Sequence, residues 1–244
     1  MNPVSKRDWS VHPPYLYEPY ASTVLRSPRR PLVPLAPSLS ELTGPAFGSD
    51  AVDPLDADLT RVPGATGEAI GQRIHVVGRV LEDEGRPVAN ALVEVWQANA
   101  GGRYRHRNDT YIAPVDPNFG GCGRVLTDGD GHYVYRTIKP GPYPWRNSVN
   151  DWRPAHIHYS ISGNGWAQRL ITQMYFEGDP LIPQCPILRT VPSETAIRQL
   201  IAELDRNNAV QLDSLAYRFD IVLRGARATW FESRVQGEPS MQRE

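Results

Sequence analysis

From about residue 72 the chain runs in short stretches of β-branched and aromatic residues, each closed by glycine, proline, asparagine or aspartate. This punctuation constrains the fold most, because period-two runs of this length bury a face only by pairing into sheets. "RIHVVGRVL" (Arg73 to Leu81) reads as a strand and "EDEGRPV" as a turn. "ANALVEVWQA" follows as a strand, with Leu92, Glu94 and Trp96 on one face and Val93, Val95 and Gln97 on the other. "TDGDGHYVYRTIKPGPY" reads as turn, strand, turn. "RPAHIHYSI" and "QRLITQMYF" are two more strands, joined by the loop "SGNGWA". "SLAYRFDIVL", Ser214 to Leu223, is a late strand. One helix is expected, in "PSETAIRQLIAELDRN": Ser193 stands at the N-cap position, and Ile197, Leu200, Ile201 and Leu204 follow at helical spacing. Many short strands and a single helix indicate a mainly β protein, a β-sandwich.

Residues 1–65 hold 11 of the 23 prolines. Proline fixes φ and removes a donor, so "HPPYLYEPY" and "SPRRPLVPLAP" cannot be helices or central strands. The same segment carries Trp9, Tyr15, Leu16, Tyr17, Tyr20, Leu32 and Val33, too much apolar surface for a solvated tail. We read residues 1–71 as a long extended N-terminal arm that wraps a surface, and residues 72–244 as one domain.

The formal net charge is -1, which lacks the electrostatic footprint of a nucleic-acid binder. No apolar run reaches the length of a membrane span and no apolar core of a secretory signal is visible, so the expected location is cytoplasmic. Cys122 and Cys185 fit no zinc or C-x-x-C spacing and read as free thiols in a reducing compartment. "DGDG" at 128–131 lacks the later ligands of a calcium loop and reads as a tight turn.

The stretch "PYPWRNSVNDWRPAHIHYS", Pro142 to Ser160, is the richest in chemistry. In a strand, His156 and His158 point to one side and could share a metal ion. Further nitrogen ligands are not close in sequence: His12, His75, His106 and His132 lie in separate segments, and Asp151 is the nearest carboxylate. Two histidines and one carboxylate would suit a ferrous oxygenase. The abundant oxygen donor is tyrosine, at 104, 111, 133, 135, 143, 159 and 175. A trivalent cation would hold phenols as phenolates, so two phenolates with two imidazoles would favour ferric iron.

"EVWQANAGGRYRH", "TDGDGHYVYRTIKPGPYPWR", "DWRPAHIHYSI" and "QMYFEGDPLIP" occur in that order. Together the set resembles the intradiol ring-cleaving dioxygenases, and within them the iron-bearing chains that act on protocatechuate. The resemblance implies a prealbumin/transthyretin-like sandwich with one Fe(III) per chain, held by Tyr104, Tyr143, His156 and His158. It implies that Tyr143 and His156 are axial, and that Tyr143 is the base that takes a substrate proton. Arg153 would stabilise developing negative charge and Gln173 would pair with it. Tyr20, Trp145, Arg146 and Ile187 would line the substrate pocket with Arg153. The implied reaction splits protocatechuate with O2 between its hydroxylated carbons, giving 3-carboxy-cis,cis-muconate in the beta-ketoadipate route of aromatic catabolism. The implied partner is a homologous alpha chain in a hetero-oligomer. Competing readings are a catechol or hydroxyquinol dioxygenase of the same family, and a non-catalytic transthyretin-like module or partner subunit.

Overall fold

The computed structural model describes residues 12–30, 52–163 and 169–223. Strands dominate: β1 (Arg73–Leu81), β2 (Leu92–Gln97), β3 (Cys122–Leu126), β4 (His132–Ile138), β5 (Tyr143–Pro144), β6 (Trp152–Arg153), β7 (His156–Ser162), β8 (Arg169–Phe176), β9 (Ile201–Leu204), β10 (Leu215–Arg218) and β11 (Ile221–Val222). The α-helices are short, α1 over Ala21–Arg26 and α2 over Glu194–Arg198. No helix among the described residues is long and apolar enough to cross a membrane.

β7 lies between β2 and β8 in antiparallel pairing, and β3 pairs with the other edge of β2. β9 joins β8 in parallel and β10 antiparallel. β1 pairs with β10 and β11 in parallel and with β4 antiparallel. Five strand-to-strand steps therefore separate β4 from β7, about 24 Å if the sheet were flat. The Tyr135 hydroxyl of β4 nevertheless lies 2.6 Å from the Tyr159 hydroxyl of β7. The sheet must turn back on itself, so that its two limbs face each other. Ile74, Val76 and Tyr135 from one limb and Ile157, Tyr159 and Met174 from the other fill one buried cluster. Burial on one face in β1 follows its alternation residue by residue.

Three expectations change. The helix after Ser193 is real at its start, where the Ser193 hydroxyl accepts from the Ala196 amide, but it stops at Arg198. Residues 201–204 form strand β9, because β8 presents an unpaired edge: Tyr175 N donates to Leu200 O, and Glu177 N to Ala202 O. Tertiary pairing overrides a helical spacing that the short apolar run also allowed. The late strand is broken into β10 and β11 where the Phe219 carbonyl approaches Gly78. A Cβ on Gly78 would lie 1.9 Å from that oxygen. Thirdly, the described part of the proline-rich segment is not wholly extended, because α1 occupies the proline-free stretch between Pro19 and Pro28. Residues 1–11 and 31–51 of that segment, and most of the "SGNGWA" loop, lie outside the described residues.

His75, midway along β1, sits opposite Arg136 of β4, with its Nδ1 3.1 Å from the Ser214 hydroxyl. Burial, then the Arg136 charge, holds its pKa below the ordinary histidine value. Below pH about 6.5 the unfolded chain takes up a proton that the folded chain refuses, so stability falls as pH drops; above that pH both are neutral and nothing is gained. His75→Gln should flatten this acid limb in urea titrations run from pH 7.5 to 5, and an unaltered limb would contradict it.

Candidate active site

The alternation of β7 puts Ile157, Tyr159 and Ile161 in the core and turns His156 and His158 to the other face. Pairing then fixes their neighbours. His156 lies opposite Tyr175, and His158 lies between Gln173 of β8 and Trp96 of β2. The Trp96 ring stacks on His158 with centroids 4.8 Å apart and planes at 4°. This sheet face is a rigid wall carrying two imidazoles.

Two loops bring the phenols to it. After β2, buried Asn99 organises the turn: its side-chain oxygen accepts from Gly101 N and Arg103 N, and its carbonyl from Gly102 N and Gly141 N. Tyr104 N donates to Asp109. Tyr143 lies in β5 and pairs with Arg153 of β6. The loops touch at Gly102, whose φ is 79° and whose Cβ would lie 2.2 Å from the Pro142 carbonyl oxygen. Gly102→Ala should therefore cost about 2–4 kcal/mol through the strained backbone and the clash. It should also separate Tyr104 from Tyr143, which a lowered melting temperature together with a lowered iron content would register.

The four side chains converge. Tyr104 Oη lies 3.1 Å from His158 Nε2, Tyr143 Oη lies 3.3 Å from His156 Nε2, and the imidazole centroids are 4.9 Å apart. Metal–donor bonds of about 2 Å put neighbouring ligand atoms about 3 Å apart, so these separations suit one ion. His156 Nδ1 is 2.7 Å from the Pro154 carbonyl, which can only accept, so Nδ1 carries the proton and Nε2 presents a lone pair. Burial, then the Arg153 charge, holds His156 well below the usual range and His158 down to about 3. Both are neutral at pH 7, as ligands must be. Among the described residues no three His, Cys, Asp or Glu side chains cluster, so the two-histidine, one-carboxylate alternative has no site there. Asp151 is engaged elsewhere, accepting from Asn147 Nδ2. The chemistry and spacing of the phenol and imidazole donors fit a hard trivalent cation.

Arg153 is 3 % exposed. Its Nη2 donates to Gln173 Oε1 and to the Tyr175 hydroxyl, 3.1 Å away, while its Nε has no partner. Burial acts to lower its pKa, but the surrounding Tyr175 and Tyr143 phenols and the Cys185 thiol outweigh burial and raise it. Among the described residues no carboxylate pairs with it, and a buried cation in that state attracts an anion. Trp145 lies under its guanidinium, 5.6 Å from the ring centroid, and Tyr20 meets Trp145 edge-on at 5.0 Å. Ile187 belongs to the same apolar cluster. Tyr20 is held there by Asn147, which receives from Ala21 N and donates to the Pro19 carbonyl. Arg146 is exposed, and no hydrogen bond or ion pair ties it to these residues.

A cavity of about 480 Å³ opens onto Tyr104, Tyr143 and His158, with Trp96, Arg105 and His106 on its wall. A hollow of about 610 Å³ near Asp58 holds none of the expected site residues, and its cations are already paired, Arg73 with Glu68 and Asp213, Arg136 with Asp213. Of the tyrosines considered as ligands, Tyr133, Tyr135 and Tyr159 are in the core, where burial first of all keeps them protonated. Sequence reasoning did not single out Trp96, or Tyr175 in its contact with Arg153. Both come from strands distant in sequence, and only the β2–β7–β8 register reveals them.

A mainly β fold that brings two phenols and two neutral imidazoles together beside a cavity defines a class of non-haem metal oxygenase site. Residues 42–225 match the family described as Dioxygenase, and the chain belongs to it, in the intradiol ring-cleaving group. Residues 6–38 match the family described as protocatechuate 3,4-dioxygenase beta subunit N terminal. The protocatechuate 3,4-dioxygenase beta chain of Burkholderia cepacia is 49% identical over 229 residues, which cover 94% of this chain and 97% of that one. The alpha chain of the Pseudomonas putida enzyme is 31% identical over 167 residues, covering 67% and 77%. Among solved structures, 3-chlorocatechol 1,2-dioxygenase from Rhodococcus opacus matches with a TM-score of 0.53 at 26% identity, covering 75% of this chain and 71% of that one.

Proposed function

We propose that this chain is the iron-bearing subunit of an enzyme that cleaves protocatechuate with O2 between its two hydroxylated carbons, yielding 3-carboxy-cis,cis-muconate in the beta-ketoadipate route. The observation that carries the reading is the convergence of Tyr104, Tyr143, His156 and His158, three of which, Tyr104, Tyr143 and His158, line one cavity. Its support is a beta-chain relative similar over almost the whole length. These four side chains would hold one Fe(III) per chain, which would supply Lewis acidity toward the catechol oxygens.

The chain's own groups do the rest. Tyr143 Oη takes a proton from one substrate hydroxyl. Arg153, fixed by Gln173, offsets the negative charge that develops on the ring oxygens, an effect that is strong in a buried site. We take Trp145, Tyr20 and Ile187, which pack together beside Arg153 and apart from the walls of that cavity, as the apolar and hydroxyl-bearing side of the substrate site, and exposed Arg146 as the cation for a substrate carboxylate. The two limbs of the sheet form a prealbumin/transthyretin-like sandwich over residues 72–244, with residues 1–71 as its arm. A homologous alpha chain completes the assembly, as the two kinds of chain among the relatives suggest, and the location is cytoplasmic. The test is oxygen uptake by the chain, alone and with an alpha chain, given protocatechuate, catechol or hydroxyquinol. Protocatechuate should be preferred by at least about 100-fold in kcat/KM, because catechol and hydroxyquinol have no carboxylate and forgo a charged contact. A preference for catechol would overturn the substrate assignment.

A further inference from the structure

The buried cation Arg153 depends on a residue outside both the ligand set and the expected substrate pocket. Tyr175 lies opposite His156 in the sheet, its ring centroid 5.8 Å from that imidazole. Its hydroxyl donates to Gln173 Oε1 over 2.6 Å, accepts from Arg153 Nη2 over 3.1 Å, and lies 4.0 Å from Cys185 Sγ. Gln173 Oε1 thus receives two donors at once, Arg153 and Tyr175. That fixes the amide: its oxygen must face them, and its nitrogen lies on the His158 side, 3.4 Å from Nδ1 and not hydrogen-bonded to it when Nε2 is the ligand nitrogen. With no carboxylate beside it among the described residues, Arg153 is oriented by neutral acceptors. A phenol whose proton is committed to Gln173 is an acceptor toward Arg153 and nothing else.

We propose that Tyr175 is a positioning residue. It locks the Gln173 amide and presents one acceptor to Arg153, so that the guanidinium is held where negative charge develops on the substrate. Tyr175→Phe removes the hydroxyl and keeps the ring, so Gln173 can rotate and Arg153 loses its second acceptor. The role acts through Arg153 and rests on the functional reading above.

The experiment is stopped-flow kinetics on the iron-loaded protein, assembled with an alpha chain, with protocatechuate bound anaerobically before O2 is added. For Tyr175→Phe, iron content and visible spectrum should match the unaltered protein, and anaerobic binding should change by less than about 3-fold, because ground-state binding is retained. The rate of reaction with O2 should fall about 10- to 100-fold, as for other supporting hydrogen bonds. In an Arg153→Lys background the same change should cost less than about 3-fold, because the two residues act as one unit. Additive losses in the two backgrounds, or an unaffected O2 rate, would overturn the proposal. Should the phenylalanine variant lose its fold or its iron, 3-fluorotyrosine at position 175 keeps the packing and strengthens donation by the hydroxyl. An O2 rate altered at least about 2-fold supports the role there, since the electron-withdrawing fluorine makes the hydroxyl oxygen a weaker acceptor toward Arg153, and an unaltered rate overturns it. Unaltered protein that fails to cleave protocatechuate would sink both readings, whereas active unaltered protein with an indifferent Tyr175 would sink this one alone.

Discussion

His156→Ala yields a folded protein that holds little iron and cleaves its substrate at least about 10³-fold more slowly, since several kcal/mol of Lewis-acid stabilisation goes with the ion. The imidazole is buried against Tyr143, and the Pro154 carbonyl holds the proton on Nδ1 so that Nε2 presents the lone pair, which alanine cannot supply. The fold should survive, because His156 faces away from the cluster that joins the two limbs. Iron analysis together with circular dichroism checks this. A variant that keeps stoichiometric iron would remove His156 from the ligand set.

Arg153→Met should move activity and stability in opposite directions. Catalysis should fall about 10²- to 10³-fold in kcat, the usual cost of losing one preorganised group at developing charge. The iron-free variant should be as stable as the unaltered iron-free protein or more so, because a buried guanidinium without a carboxylate, and with its Nε unpartnered, is replaced by an apolar chain of similar length. Thermal unfolding of the two iron-free proteins reads the second effect. A melting temperature lowered by many degrees would mean that Arg153 is structural cement and not a poised charge.

The histidines of the proposed ligand set were legible locally, whereas Tyr104 and Tyr143 were singled out from seven tyrosines by the resemblance. His156 and His158 share a face by simple alternation, and Tyr143 stands in the same stretch. Strands β1, β2, β4, β7 and β8 were legible for the same reason, their period being strong and their ends punctuated. What was not legible depends on pairing. Trp96 meets His158, and Tyr175 meets Arg153, through sheet register. Residues 201–204 became a strand because an edge of β8 needed a partner, which no local pattern announces. Arg146 is a case of another kind: it is exposed beside half-buried Trp145, so its proposed role rests on the resemblance and not on packing.

The central claim is that two phenolates and two imidazoles of this chain hold a single ferric ion. Visible absorption and iron content measured on the same purified sample test it most directly. One iron per chain and a burgundy to red colour from tyrosinate-to-iron charge transfer are expected, with the band altered in Tyr104→Phe and bleached when a chelator removes the metal. A colourless preparation with a full complement of iron would contradict it.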